Sequence, residues 1–183
     1  MDTIFKLELQ QLIRRCIDGQ PIAQKAFYER YSTSMFRLCF RYLKQQEDAE
    51  DVLVRGFTKA FRALSKLDYQ GEGALIAWLK KIMVNEALMV LRSRNLWLHA
   101  LAEPPEQEEA PKVESDLAAE ELYSLIRQLP DGYRTVFNLY VIEGHTHPEI
   151  AALLGISPNT SKTQLNKARK ALRHQLRQTS SIL

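Results

Sequence analysis

The chain has 183 residues, 45% of them hydrophobic and 26% charged, a composition typical of globular proteins with one domain or two small ones. It contains no apolar run long enough to cross a bilayer and no N-terminal signal-peptide pattern, so we expect a cytoplasmic protein without direct membrane insertion. Residues 1–95 carry 16 basic and 11 acidic side chains, and residues 130–183 carry 7 basic and 3 acidic ones. Between them, residues 96–129 carry 2 basic and 8 acidic side chains, so two basic segments flank an acidic one.

Apolar residues at helical spacing predict four helices in the N-terminal segment, and no alternating strand pattern occurs there. The first helix contains Ile4 to Cys16 and ends at Gly19, and the second begins at Pro21. The third runs from about Asp48 to Leu67, and the fourth begins near Ala74, after a loop with two glycines.

The sequence contains no recognisable catalytic or metal-binding motif. We find no Gly-rich phosphate loop, no metal-ligand spacing and no Ser/His/Asp or Cys/His set, so we predict a protein that is not an enzyme and uses no cofactor or metal. Cys16 and Cys39 predict buried reduced thiols rather than a disulfide. His145 and His147 are two residues apart at a helix entrance, which puts them on different faces.

The acidic segment contains the run EPPEQEEAPKVES from Glu103 to Ser115, with three prolines and no aromatic residue. This composition argues against a packed element. A charged surface loop is the alternative, but about fifteen residues without structure inside one compact domain would be unusual. We therefore predict a linker.

The C-terminal segment predicts two helices joined by a tight turn. Thr146 and Glu149 have the spacing of a capping box, which starts the first helix. Gly155 can adopt the left-handed conformation that ends it. Ser157 and Pro158 are a typical N-cap and first residue of the next helix. This order of signals predicts a helix-turn-helix.

The second helix of this pair has a basic face, and no acidic residue follows Glu149. An α-helix fits the major groove of B-DNA, and a cationic face without carboxylates gains free energy from counterion release. A solvated basic face is the alternative, but the caps and the glycine turn favour DNA binding. We expect these side chains near bases and phosphates: Asn159, Thr160, Lys162, Thr163, Asn166, Lys167 and Lys170.

Three segments resemble the second conserved region of bacterial sigma factors in the extracytoplasmic function (ECF) group: DAEDVLVRGFTKAFRAL, YQGEG and WLKKIMVNEALMVLRSR. A later segment is similar to their fourth region: LPDGYRTVFNLYVIEGHTHPEIAALLGISPNTSKTQLNKARKAL. The resemblance implies an all-α chain with a region-two-like domain at 1–97, an acidic linker at 98–116 and a region-four-like helix-turn-helix domain at 117–183. It also implies an RNA polymerase subunit for transcription initiation, with core RNA polymerase and promoter DNA as partners and an anti-sigma factor as a further candidate.

The resemblance also implies a surface that opens the minus-ten promoter element. Strand separation needs a pocket for an extruded base and cations for the single-stranded backbone. The resemblance assigns the pocket to Tyr69, Gln70 and Glu72, and the strand contacts to Lys80, Lys81, Asn85 and Arg92. Trp78 could stack on a base, but its spacing with neighbouring apolar residues favours core packing. Met89 occupies a position where the family often has Asp.

The third helix resembles the family segment that packs on a coiled coil of the largest polymerase subunit. The resemblance implies that Asp48, Glu50 and Asp51 face basic side chains of that subunit, with ion pairs that set orientation and rate. Acids at a helix N-terminus also complement the macrodipole, which is an equally good explanation. Val54 and Arg55 stand where the family usually has Gln followed by an acid, which indicates an altered interface.

Two residues of the recognition helix also depart from the family pattern. Ser161 replaces a usual apolar residue and lies on the inward side, so its hydroxyl needs a partner such as a carbonyl one turn back. Gln164 replaces a usual Arg, which predicts the loss of one phosphate or base contact.

Two other functions are compatible with the sequence. An autonomous helix-turn-helix transcriptional regulator would use the N-terminal helices for dimerisation or ligand binding. A protein that only sequesters a protein partner would not need DNA.

Overall fold

The computed structural model describes residues 2–94 and 117–180, and it places the side chains of residues 8–94 and 121–177. The predicted linker at 98–116 lies outside the described residues, and both predicted domain boundaries fall at or beside that part of the chain. In the described ranges the chain forms eight α-helices and no strand, which confirms the all-α prediction.

Four helices form the N-terminal part, as predicted. α1 spans Asp2–Ile17, α2 Pro21–Leu43, α3 Gln46–Ala63 and α4 Glu72–Ser93. A short 3-10 turn, Leu64–Lys66, follows α3. Gly19 has φ +75°, so it supplies the left-handed residue after α1. α3 and α4 each begin two residues earlier than expected, within the usual uncertainty of helix ends.

The first of two compact units comprises Met1–Phe40 and Gln45–Ala87. Aromatic rings occupy its centre. The ring of Phe27 lies 4.9 Å from Tyr31, 6.4 Å from Phe57 and 5.7 Å from Phe61, all in edge-on geometry. Such pairs add about 0.5–1.5 kcal/mol each beyond their buried area. The pairs that Phe27 forms with Phe57 and Phe61 join α2 to α3.

α3 and α4 approach closely at Gly56. A Cβ atom at this position would clash with the sulfur of Met83. A side chain at position 56 would therefore need the flexible end of Met83 to move, which gives a packing reason for glycine even though glycine lowers helix stability. The buried Met83 fills the space that a side chain at position 56 would need.

Cys16 and Cys39 are both free and buried, as predicted. Burial raises the pKa of the Cys16 thiol to about 11, so this sulfur stays protonated at neutral pH.

The second unit comprises Arg41–Lys44 and the chain from Leu88 onward. Its C-terminal helices are α5 at Leu117–Gln128, α6 at Asp131–Phe137, α7 at His147–Leu154 and α8 at Pro158–Ser180. One π-helical turn, Asn138–Ile142, extends α6. A buried cluster joins α5 to α8 and contains Leu125, Ile126, Leu129, Ala168 and Leu172.

A buried arginine organises the start of α6. Arg134 is 1% exposed. Its guanidinium donates to Asp131 Oδ1 at 2.6 Å, to the carbonyl of Leu129 at 2.8 Å and to the carbonyl of Tyr42 at 2.9 Å, all within the second unit. These bonds compensate the cost of burying the charge.

Candidate nucleic-acid interface

The helix-turn-helix begins with the predicted capping box. The backbone N–H and the hydroxyl of Thr146 each lie 2.8 Å from Glu149 Oε2, and the Glu149 N–H donates to the Thr146 hydroxyl at 3.4 Å. The hydrogen bond from the Thr146 backbone N–H is the larger cause, and the one from its side chain the smaller, of a lowered pKa of the Glu149 carboxyl. The ionised carboxylate therefore fixes the first turn of α7.

The capping box gives the first testable prediction. Because the pKa of Glu149 is lowered on folding, its contribution is present above the unfolded pKa, about 4.3, and is lost as pH falls through the lower folded value. Glu149→Gln should therefore lower the melting temperature at pH 7. The difference from wild type should shrink as the melts are repeated at pH 5, 4 and 3. A difference that is constant with pH would contradict this role of the carboxylate.

The turn between α7 and α8 has the predicted left-handed glycine. Gly155 has φ 68° and ψ 33°, and its N–H donates to the carbonyl of Ala151 at 2.9 Å. The N–H of Ile156 donates to the same carbonyl at 3.2 Å. Ser157 then caps α8, since its hydroxyl accepts the N–H of Thr160 at 3.0 Å. All local signals for the helix-turn-helix are confirmed.

Gly155→Ala should destabilise the chain through backbone strain alone, since a Cβ at this position would meet no atom within 4 Å. The left-handed conformation costs a non-glycine residue about 1–2 kcal/mol, and Asn tolerates it better. Thermal or urea unfolding should rank wild type above Gly155→Asn and Gly155→Asn above Gly155→Ala. Gly73→Ala is the matched control, because that site is also open but has no left-handed φ. Equal losses at both glycines would contradict the strain argument.

The surface of α8 carries most of the residues predicted for the upstream element. Six are exposed: Asn159, Lys162, Thr163, Asn166, Lys167 and Lys170. Thr160 is half-buried, and its hydroxyl lies 2.9 Å from that of Ser157. The Lys167 amine lies 5.8 Å from the centre of the Tyr133 ring. The structure thus places these side chains on the first four turns of one helix, but whether they bind DNA stays a prediction.

The buried side of α8 contains two polar residues. Ser161 is 0% exposed, which confirms its inward position, but its partner is not the expected carbonyl. Its hydroxyl lies 2.9 Å from Nδ1 of His147. Gln164 is 7% exposed, so its side chain is withdrawn from the surface expected to contact phosphates or bases. This burial agrees with the predicted loss of one phosphate or base contact at position 164, which stays a prediction.

His147 links three elements of the helix-turn-helix. Its ring stacks on Tyr140 with centroids 4.5 Å apart, and the Arg169 guanidinium lies 5.8 Å from the centre of the Tyr140 ring. Partial burial, Lys162 and Arg169 lower the pKa of His147, which favours the neutral ring at pH 7. This contact set was missed in the sequence, where His147 is only visible as a residue at a helix entrance.

The loop predicted to form the minus-ten pocket contains hydrogen-bonded side chains. Glu72 accepts from Arg30 Nη2 at 2.9 Å and from the Tyr31 hydroxyl at 3.0 Å. Gln70 donates to Asp68 Oδ2 at 3.1 Å. Burial, followed by the charge of Glu72, raises the pKa of Tyr69. Glu72 thus connects the start of α4 to α2. Its role in a base-binding pocket stays a prediction.

The side chains predicted to hold the melted strand are exposed on α4: Lys80, Lys81, Asn85 and Arg92. Arg92 also donates a hydrogen bond to the carbonyl of Leu153 within the second unit. Met89 is 54% exposed on the same helix. Trp78 is half-buried rather than fully packed in the core.

The acidic residues predicted to bind polymerase lie on the first turns of α3. Glu50 and Asp51 are exposed and Asp48 is half-buried. Glu50 accepts a hydrogen bond from Gln46 at 2.8 Å. Arg55, on the next turn, lies 4.0 Å from Glu86 Oε2, a contact that the sequence pattern did not indicate.

Sequence models of two sigma-70 regions match the chain. Region 2 matches residues 27–96 and region 4 matches residues 119–172, which together are more than half of the chain. The chain belongs to the sigma-70 family. This confirms the resemblance seen in the sequence, in the same two blocks and the same order.

Curated relatives place this sigma-70 member in the ECF group. The RNA polymerase sigma-H factor of Pseudomonas aeruginosa is 28% identical, with 89% of this chain and 91% of that protein covered. The ECF sigma factor SigW of Bacillus subtilis is 27% identical, with 94% and 99% covered. SigE of Mycolicibacterium smegmatis is 31% identical, with 82% and 60% covered. The function is that of an ECF-type sigma factor, a transcription initiation factor.

A solved structure supports the fold. The co-crystal structure of the sigma factor RpoE with the anti-sigma factor NepR from Bartonella quintana has a TM-score of 0.50 to this sigma factor at 20% identity. The alignment covers 84% of this chain and 96% of that chain. Among the described residues, no helix is long and apolar enough to span a membrane, and no group of three or more potential metal ligands is found.

Proposed function

We propose that this ECF sigma factor binds core RNA polymerase through α3 and promoter DNA through two separate surfaces. α8 enters the major groove of the upstream element, and α4 with its preceding loop captures the melted minus-ten strand. The chain acts in the cytoplasm, where both partners are found. An anti-sigma factor is a further candidate partner, as the family resemblance implies.

One observation carries the DNA part of this proposal. The exposed residues of α8 include four cations in two turns and a half, Lys162, Lys167, Arg169 and Lys170, and no carboxylate lies on the helix. A helix that served only as a packing element would gain nothing from this one-sided charge. Against phosphates, each cation releases condensed counterions. Asn159, Thr163 and Asn166 add groups that can hydrogen-bond to base edges.

The polymerase part is supported by charge on α3. Glu47, Glu50 and Asp51 are exposed together at helical spacing, which suits a partner with basic side chains. The minus-ten part is supported by the exposed Lys80, Lys81 and Asn85 on α4. The two parts are proposed to be joined by the linker at 98–116.

In vitro transcription with purified core polymerase and a random promoter pool tests the proposal. We expect transcripts only when the chain is added, from templates that share two short elements at fixed spacing. Sequencing the templates of active promoters would report both elements. The alternative, an autonomous regulator, predicts DNA binding without promoter-specific transcription by added core polymerase, and that outcome would overturn the proposal.

A further inference from the structure

Glu86 is a buried acid at the α3–α4 contact. It lies on α4 and is 5% exposed. Its Oε1 accepts from the Lys59 amine at 2.5 Å, and its Oε2 lies 4.0 Å from Arg55 Nε. One buried carboxylate therefore pairs with two cations that α3 contributes. A buried carboxylate without such partners would be costly.

The two cations come from one edge of α3. Positions 55 and 59 are one turn apart, and Gly56, three residues before Lys59, faces the Met83 side chain of α4. Their side chains are about half exposed, 49% for Arg55 and 53% for Lys59. Without Glu86, both long side chains could turn outward over the exposed face of α3.

An acidic strip adjoins these two cations on α3, since Asp51 lies one turn before Arg55. We define the acidic strip as Glu47, Glu50, Asp51 and Val54. Glu50 and Asp51 lie three and four residues after Glu47, and Val54 lies four and three residues after them, so the four residues share one face. Val54 is 58% exposed, a large apolar exposure beside three carboxylates. The strip therefore fits a cationic partner surface that also offers an apolar contact to Val54.

We propose that Glu86 is a positioning residue that holds Arg55 and Lys59 toward α4 and thereby keeps the acidic strip negative for its partner. The inference rests on the proposed function, in which that partner is core RNA polymerase. Arg55 adds a positive charge next to the acidic residues of α3, and the carboxylate of Glu86 pairs with that charge. The charge of the binding face is then set by a residue that does not touch the partner.

The test is a cycle of variants titrated against core polymerase. Glu86→Gln keeps the shape of the side chain but removes the charge that holds both cations. We expect roughly five- to tenfold weaker binding at low salt, and a smaller difference at 0.5 M salt because surface charges are then screened. In the wild-type background, the double variant Arg55→Gln with Lys59→Gln should change the affinity for core polymerase by less than about twofold. In the Glu86→Gln background, the same two changes should restore the affinity that Glu86→Gln removed. Glu29→Gln, an exposed acid on α2, is the matched control for loss of one charge.

The inference is overturned if the effects of the Glu86 change and of the Arg55 and Lys59 changes on affinity simply add. If removing Arg55 and Lys59 raises affinity equally in both backgrounds, Glu86 does not hold them. If Glu86→Gln does not fold, as judged by circular dichroism, Val54→Lys provides the second variant, because it adds a cation to the strip at an exposed site. We expect it to weaken binding about tenfold, and wild-type affinity would overturn the proposal. A wild-type chain that does not bind core polymerase overturns the proposed function as well, whereas wild-type binding with additive variants overturns only this inference.

Discussion

Replacing Lys162, Lys167 and Lys170 together with glutamine should lower the affinity for upstream-element DNA by roughly 10²- to 10³-fold at 0.1 M salt. The three amines are exposed on one helix, and each phosphate contact releases about 0.9 of a counterion. The plot of log affinity against log salt should therefore become shallower by about 2.7. Fluorescence anisotropy with a labelled duplex at several salt concentrations measures both quantities. The triple variant should keep the helical circular dichroism spectrum.

The matched control removes three exposed cations of the first unit, Arg14, Arg15 and Lys66, by the same change to glutamine. It alters net charge equally but leaves α8 intact. Its salt slope should differ little from that of wild type. If the control loses as much affinity as the α8 variant, binding depends on total charge and not on a helix in the groove.

Arg134→Met should lower the free energy of unfolding by about 3–5 kcal/mol, the range for breaking a buried ion pair by removing one partner. The change leaves Asp131 without its 2.6 Å partner and two carbonyls without their guanidinium donors. Urea unfolding followed by circular dichroism measures the loss. Because α6 begins at Asp131, the helix-turn-helix that follows should also lose protection from hydrogen exchange.

Arg173→Met is the matched control for this substitution. Arg173 is exposed on α8, so its replacement should change stability by no more than about 0.5 kcal/mol. Equal losses for the two variants would show that the buried hydrogen bonds of Arg134 contribute little. A loss below 1 kcal/mol at Arg134 would contradict the packing described for the start of α6.

The features that the sequence predicted correctly depend on neighbouring residues along the chain. The Thr146–Glu149 box, the left-handed Gly155 and the Ser157 cap each need only residues within four positions. Short-range rules of this kind are set by helix geometry and do not depend on the rest of the fold. The four N-terminal helices and the helix pair of the helix-turn-helix followed from the same local periodicity, whereas α5 and α6 were not predicted individually.

The features that it did not predict depend on which helices pack together. Ser161 finds His147 fourteen residues away, and Glu86 finds Lys59 across the α3–α4 contact. Gln164 has a polar side chain, yet it is buried, so the buried side of α8 is wider than its leucines indicate. No periodicity in one helix specifies such partners, since they are chosen by the relative rotation of two helices.

The affinity of the whole chain for purified core RNA polymerase, measured without DNA, tests the central claim most directly. We expect saturable binding at one chain per core enzyme, weakened when Asp48, Glu50 and Asp51 are replaced by their amides and unaffected by the α8 variant. Absence of binding by the folded wild-type chain would contradict the account.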